Sequence, residues 1–302
     1  MSRNHFKCIY LLLVILILGG CSLLNESTQN NEKDNTNADD VYVPVQEYTG
    51  EEYALPNGKK TGKIANENRD VIEKAIKEFF IEEYKTEVKV HNIVGNVDGA
   101  TVFVESIGEP HFYTYAIIPI DKKSETIITN AIWTIENVVE HAIMTGIYAH
   151  VEKEKFQNLT NYLEDFSQEN GLTGLNKEAL KAGANGFSNE YLFVGIRDYK
   201  FFQNVLESYL NAPNKTIEEW QSILKIESIS PTSIMIAIDL YMTNPDEEPD
   251  SEVFDKLLKE IEELENIPKG YYGISIHDNN IHKTRAIGNK ENSLESDDLL
   301  KK

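Results

Sequence analysis

VKVHNIVGNVDGATVFVESIGEPHFYTYAII, from Val88 to Ile118, is the stretch that decides the fold. Val88, Val90 and Val94 alternate with Lys89, His91 and Ile93, the period of two of a β-strand. Gly95-Asn96-Val97-Asp98-Gly99 supplies a turn, Ala100–Ser106 a second strand, Ile107-Gly108-Glu109-Pro110 a second turn and His111–Ile118 a third strand. Consecutive strands joined by tight turns predict an antiparallel meander. Centring the first turn on Val97 sets Val90 opposite Val104, Val94 opposite Ala100 and Lys89 opposite Glu105, an apolar face and a favourable charge pair at once. The third strand is apolar on both faces, which predicts a sheet covered on both sides. Thr126–Thr134 is expected to add a fourth strand.

Around the meander the period changes to that of a helix. Val71, Ile72, Ala75, Ile76, Phe79, Phe80 and Tyr84 form one stripe over Asn68–Lys85. Further helices are predicted over Glu136–Val151 and Lys155–Glu169. Beyond them a strand is expected at Tyr191–Ile196, helices near Lys200–Leu210 and Ile217–Leu224, and a strand at Ser233–Tyr241 with Ile234, Ile236, Ile238 and Leu240 on one side. Ser251–Asn266 reads as an amphipathic helix stopped by Pro268, and a last hairpin is expected from Tyr271–His277 and Ile281–Ile287. The fold class is therefore α+β: an N-terminal helix plus an antiparallel β-meander with packing helices, followed by a mixed α/β C-terminal half. The expected organisation is a signal over residues 1–20, a tether over 21–40, an N-terminal half over 41–170, a C-terminal half over 171–290 and a polar tail over 291–302. Gly171–Asn189, with four glycines and a short helix from Lys177, is expected to hinge the two halves.

The first residues give an address. Arg3 and Lys7 precede an aliphatic run, which ends in Leu18-Gly19-Gly20-Cys21. A basic start, an apolar middle and small residues at the cut make a secretory signal. A cysteine directly after the small pair is the mark of a bacterial lipoprotein, cleaved between Gly20 and Cys21 with Cys21 carrying the diacylglyceryl and N-acyl groups. The apolar run is shorter than the ~20 residues of a spanning helix. Two acyl chains suffice to hold a protein on a bilayer. Asn25–Asp40, polar and without aromatic residues, reads as a tether, and about 20 such residues reach roughly 25 Å. The expected location is the outer face of the cell membrane.

The chain carries 29 basic and 50 acidic side chains, a net charge of −21. Cleavage would remove Arg3 and Lys7 and leave −23. That balance argues against nucleic acid as a partner, since phosphate binding needs clustered Lys and Arg. It also argues against electrostatic attraction to anionic lipids. Of the two cysteines, Cys8 lies in the signal and Cys21 at the lipidation position, so no thiol is left for a disulfide, a cysteine-ligated metal or a nucleophile.

Several runs resemble an uncharacterised family of lipoproteins from low-GC Gram-positive bacteria, classed as a domain of unknown function. They are YVPVQEYTG (Tyr42–Gly50), KTGKI (Lys60–Ile64), YKTEVKVHNIVG (Tyr84–Gly95), VDGATVFVES (Val97–Ser106), GEPHFYT (Gly108–Thr114) and KENSLE (Lys290–Glu295). The resemblance implies location and lipidation; it brings no catalytic or ligand residues with it.

Histidines are the first place to look for chemistry. The expected register puts His91 and His111 on opposite faces of the meander, which gives them structural roles. His141 and His150 are too far apart on one helix to share an ion. If Asn279-Asn280 makes a two-residue turn, His277 and His282 become cross-strand neighbours, close enough to share Zn²⁺ or Cu²⁺. Two ligands are half a site, so no metal and no cofactor are assigned. Asp246-Glu247-Glu248-Pro249-Asp250 lacks the glycine and ligand spacing of an EF-hand loop. Gly-x-Ser-x-Gly, His-Glu-x-x-His, P-loop and Gly-x-Gly-x-x-Gly signatures are absent. Glu105 and Glu109 are the nominees for a carboxylate pair, and Tyr113 and Tyr115 for a ligand groove. The expected function is a non-catalytic binding or interaction module held by its lipid. The alternatives are a solute-binding lipoprotein of a transporter and a cell-wall hydrolase using a carboxylate pair.

Overall fold

The computed structural model describes residues 41–301. Gly20, Cys21 and the polar stretch after them lie outside the described residues. A short strand, β1 (Tyr42–Pro44), precedes helices α1 (Lys59–Glu67) and α2 (Arg69–Tyr84). The stripe expected of α2 is the face it buries, through Ile72, Ala75, Ile76 and Phe80. Helix α1 was not expected, because Lys59-Lys60-Thr61-Gly62-Lys63 shows no apolar stripe. It is placed by backbone contact instead: a Cβ at Gly95 would lie 2.1 Å from the Gly58 carbonyl and 2.2 Å from the Gly62 nitrogen. Only glycine permits that approach.

Strands β2 (Val88–Gly95), β3 (Gly99–Ser106), β4 (Tyr113–Asp121) and β5 (Thr126–Ile127) form the antiparallel meander in that order. Val90 faces Val104 and Lys89 faces Glu105, as expected. The register then shifts: Ile93 faces Val102, Val94 faces Thr101 and Gly95 faces Ala100. The expected Val94–Ala100 pair is therefore off by one, because a bulge at His91-Asn92 inserts an extra residue between the two ladders. The fourth strand is shorter than Thr126–Thr134, with Trp133 returning only as an isolated bridge to Ile117. One face of the sheet, with Ala100, Val102, Val104, Ala116 and Ile118, enters the main core.

Helices α3 (Val138–Val151) and α4 (Lys153–Glu169) follow. Nearly every residue of α3 is buried, so it runs through the interior rather than over a surface. Strand β6 (Leu172–Thr173), helix α5 (Lys177–Gly183) and strand β7 (Leu192–Ile196) lead to α6 (Gln203–Asn211) and α7 (Ile217–Leu224). Strand β8 (Ile234–Met242), helix α8 (Ser251–Glu263) and strands β9 (Gly270–His277), β10 (Asn280–His282) and β11 (Leu294–Lys301) complete the chain. The second sheet runs β11-β9-β8-β6, with β7 also paired to β8; β8 and β9 are parallel and the other pairs antiparallel.

Three expectations change here. The segment 171–189 does not separate two halves. Tyr113 and Gly186 exchange backbone hydrogen bonds of 3.0 and 2.7 Å, β6 pairs with β8, and one apolar core includes Phe80 and Val104 from one side and Ile238 and Ile274 from the other. The hairpin expected after Tyr271 is absent, because β10 pairs with β1 rather than with β9. Within residues 291–302, expected as a polar tail, Leu294–Lys301 form β11 on β9. Leu294 and Leu299 pack on the core from that strand, and a register shift between Ser296 and Leu299 interrupts the alternation that would have announced it.

Candidate functional site

Helix α5 lies over the second face of the meander, and the polar chemistry of the molecule gathers on its two flanks. The alternation of β3 points Phe103 and Glu105 away from the main core, opposite Tyr115 and Tyr113 of β4. On this flank Glu105 meets two imidazoles: His91 Nε2 stands 2.7 Å from one carboxylate oxygen and His111 Nε2 2.9 Å from the other. An ionised carboxylate only accepts, so both rings donate through Nε2–H. Burial works against the charge on Glu105, but the hydrogen bonds from His111 and His91 and their positive character outweigh it and hold the carboxyl below its usual range. The expectation that His91 and His111 sit on opposite faces is thus corrected. His91 lies on the face of Lys89 and Glu105, as the register predicts, but Ser106 pairs with Phe112, which leaves His111 in the turn with its ring free to reach back to that face. Gly146 of α3 gives that turn room, since a Cβ there would lie 2.9 Å from the His111 carbonyl.

The other nominated acid, Glu109, is taken by Lys153 at 3.7 Å and His150 at 3.3 Å. His141 is half-buried against Tyr199, whose hydroxyl lies 2.9 Å from its Nδ1, and its desolvation pushes its pKa down. His277 and His282 do not become neighbours. His277 is buried, with Nδ1 2.8 Å from Ser293 Oγ, whereas His282 lies opposite Tyr42 on β10. Among the described residues no group of three His, Cys, Asp or Glu side chains could hold a metal ion. In the acidic loop, Asp250 caps α8 by accepting from the Glu252 and Val253 amides. Tyr113 is buried with its ring against His111, and Tyr115 packs on Phe103, so the groove expected there is filled.

The open space lies on the other flank. A cavity of about 470 Å³ is walled by α5, by the chain from Ala184 to Phe193, by β8 and by the turn after β10. A small apolar cluster of Val45, Tyr48, Ala179, Tyr241 and Ile281, separate from the main core, backs it. On β8 the alternation sends Ile234, Ile236, Ile238 and Leu240 into the core, and the opposite parity presents Asp239 and Tyr241 to the cavity. Tyr48, Tyr53, Tyr191 and Phe193 add aromatic surface, and Glu190, Arg285 and Asn185 add polar groups. Two buried polar atoms of this wall, the Tyr48 hydroxyl and Asn185 Oδ1, have no hydrogen-bond partner. Burial, with Tyr53 and Glu52 nearby, pushes the Tyr48 phenol up to about 12, so it stays protonated. Burial also raises the Tyr241 phenol, and the adjacent Asp239 carboxylate raises it further. Ala286 lines the mouth with φ of 57°, a left-handed conformation that costs a residue with a Cβ.

None of these cavity residues was nominated from the sequence. The strand period placed Asp239 and Tyr241 on the face away from the isoleucines. What covers that face depends on α5 and on the turn at residues 283–288, both far away in the chain.

The chain matches none of the curated proteins compared with it. Among solved structures it is similar to the crystal structure of a DUF1672 family protein from Staphylococcus aureus subsp. aureus Mu50. The TM-score is 0.69 at 20% identity, with 85% of this chain and 97% of that chain covered, a likeness of fold. The model of the same family, described as a protein of unknown function, matches residues 35–301. The chain belongs to the DUF1672 family.

Proposed function

We propose that this protein is a non-catalytic binding module, tethered to the outer face of the membrane through lipidated Cys21, whose cavity beside α5 receives a small ligand. The observation that carries the reading is the cavity itself. It has the volume range of small-molecule sites, a wall with five aromatic residues, and buried polar groups that have no partner among the described residues. A buried hydroxyl or amide without a partner is costly in a folded protein. A ligand that supplied the missing hydrogen bonds would remove that cost. The carboxylates nominated for hydrolysis support the non-catalytic side of the reading, because Glu105 is engaged by His91 and His111, and Glu109 by His150 and Lys153. The solute-binding class built from two parallel βαβ lobes finds no support here, since β8 and β9 are the parallel pair among the described strands. Among the described residues no helix is long and apolar enough to cross a membrane.

The test is native extraction. The lipidated protein is purified in detergent from its own cells, and its small molecules are identified by mass spectrometry beside those of Gly183→Trp. Gly183 lines the cavity, and a Cβ there would meet nothing within 4 Å, so an indole fits the space without displacing backbone. A compound present with the native protein and missing from the variant supports the site; a compound retained equally by both overturns it. Cys21→Ala is expected to abolish labelling by radioactive palmitate, and continued acylation would refute the anchor.

A further inference from the structure

The charged groups at the cavity are not paired with each other. Glu190 is neutralised by Lys177, whose Nζ lies 3.2 Å away. Among the described residues Asp239 has no Lys or Arg within 4.0 Å; His277 Nε2 lies 3.6 Å away, beyond a hydrogen bond, and His277 is already bonded to Ser293 through Nδ1. Arg285 lines the same cavity, and among the described residues no carboxylate lies within 4.0 Å of its guanidinium. One solvent-accessible acid and one exposed base thus border one partly aromatic space, more than the 4.0 Å of an ion pair apart. The buried Tyr48 hydroxyl adds an unpartnered polar atom to the same wall.

We propose that the ligand is a small zwitterion, an amino acid or a short peptide, with its ammonium group at Asp239 and its carboxylate at Arg285. A cation alone would leave the guanidinium without a counter-charge, and an anion alone would leave the carboxylate without one. A molecule carrying both charges matches both ends, and a forked guanidinium suits a carboxylate bidentately. The tyrosine rings that line the same cavity provide contact for the ligand's carbon atoms and a second site of attraction for its ammonium group. The chain's net charge of −21 does not select this ligand, because a zwitterion carries no net charge to be steered. Selection rests on the two local charges.

This inference rests on the cavity being a ligand site, and the experiment separates the two. The mature, lipidated protein in detergent is screened by thermal shift and calorimetry against the twenty standard amino acids and their homodipeptides. The best binder is then compared with its decarboxylated amine and its deaminated acid. At least one zwitterion is expected to bind, and each half-charged analogue to bind about tenfold or more weakly, the size of one hydrogen bond to a charged group. Asp239→Asn should weaken the zwitterion and the amine but not the acid, and Arg285→Gln should weaken the zwitterion and the acid but not the amine. Failure of every amino acid and dipeptide to bind, or indifference of the best binder to both substitutions, overturns the zwitterion. If Gly183→Trp still loses a co-purifying compound that is not zwitterionic, the cavity stands and only the ligand class falls. If that variant retains the compound, the cavity falls as well.

Discussion

The two flanks of α5 are built from the same kinds of residue and reach opposite outcomes. On the meander side, His91, Glu105 and His111 satisfy one another within 2.9 Å. On the β8 side, the buried Tyr48 hydroxyl and Asn185 Oδ1 have no hydrogen-bond partner among the described residues, and the solvent-accessible Asp239 and Arg285 border the same open space. A closed network of charge-assisted hydrogen bonds holds structure together, whereas an open one carries the desolvation cost without the return. The difference teaches that the most conspicuous polar cluster of this chain is part of its scaffold. The site has to be sought where partners are missing.

Removing the centre of the closed network should produce the largest change. Glu105→Ala strips both imidazoles of their acceptor and is expected to destabilise the domain by about 2 kcal/mol, within the range for hydrogen bonds to a charged group at a partly buried position. Urea unfolding would read it, and a loss below ~0.5 kcal/mol would show that the cluster is not structural.

The opposite sign is expected on the open flank. Tyr48→Phe removes a buried hydroxyl that has no partner, so stability should hold or rise by about 1 kcal/mol while ligand retention falls. A clear destabilisation would mean that the hydroxyl is satisfied in solution and that the contrast between the flanks is false.

Proton linkage offers a smaller and more selective measure. The folded pKa of Glu105 is lowered, so its contribution is fully present above the unfolded value of about 4.3 and is lost as pH falls through the lower folded value. The stability gap between the native protein and Glu105→Gln should therefore close as the solution is acidified below about pH 5. A gap that widened on acidification would reverse the assignment. The smallest expected effect is on zinc. With His277 and His282 on differently paired strands, calorimetry should find no site tighter than micromolar, and His277→Ala with His282→Ala should leave the titration unchanged. A submicromolar site lost in that double variant would make metal handling the leading function.

Much of the secondary structure was legible because it rests on local periodicity. The stripe on α2, the alternation of Val88–Val90 against Val104, and the isoleucine parity of β8 all needed only neighbouring residues. What failed did so at points where pairing involves distant partners. Helix α1 depends on Gly58 and Gly62 meeting Gly95, and β10 chose β1 over the hairpin its turn residues suggested. Strand β11 is polar enough to read as a tail until β9 offers it backbone partners.

By itself the sequence determined the α+β class, the meander and its first register, and the acidic balance, because each follows from patterns a few residues long or from composition. Tertiary structure alone decided that His91 and His111 share Glu105, that His277 and His282 part, and that Asp239 and Arg285 face one space. A hydrogen bond or a cavity depends on ångström distances between segments far apart in the chain. Those distances come from strand pairing and tertiary packing, and no local period encodes them.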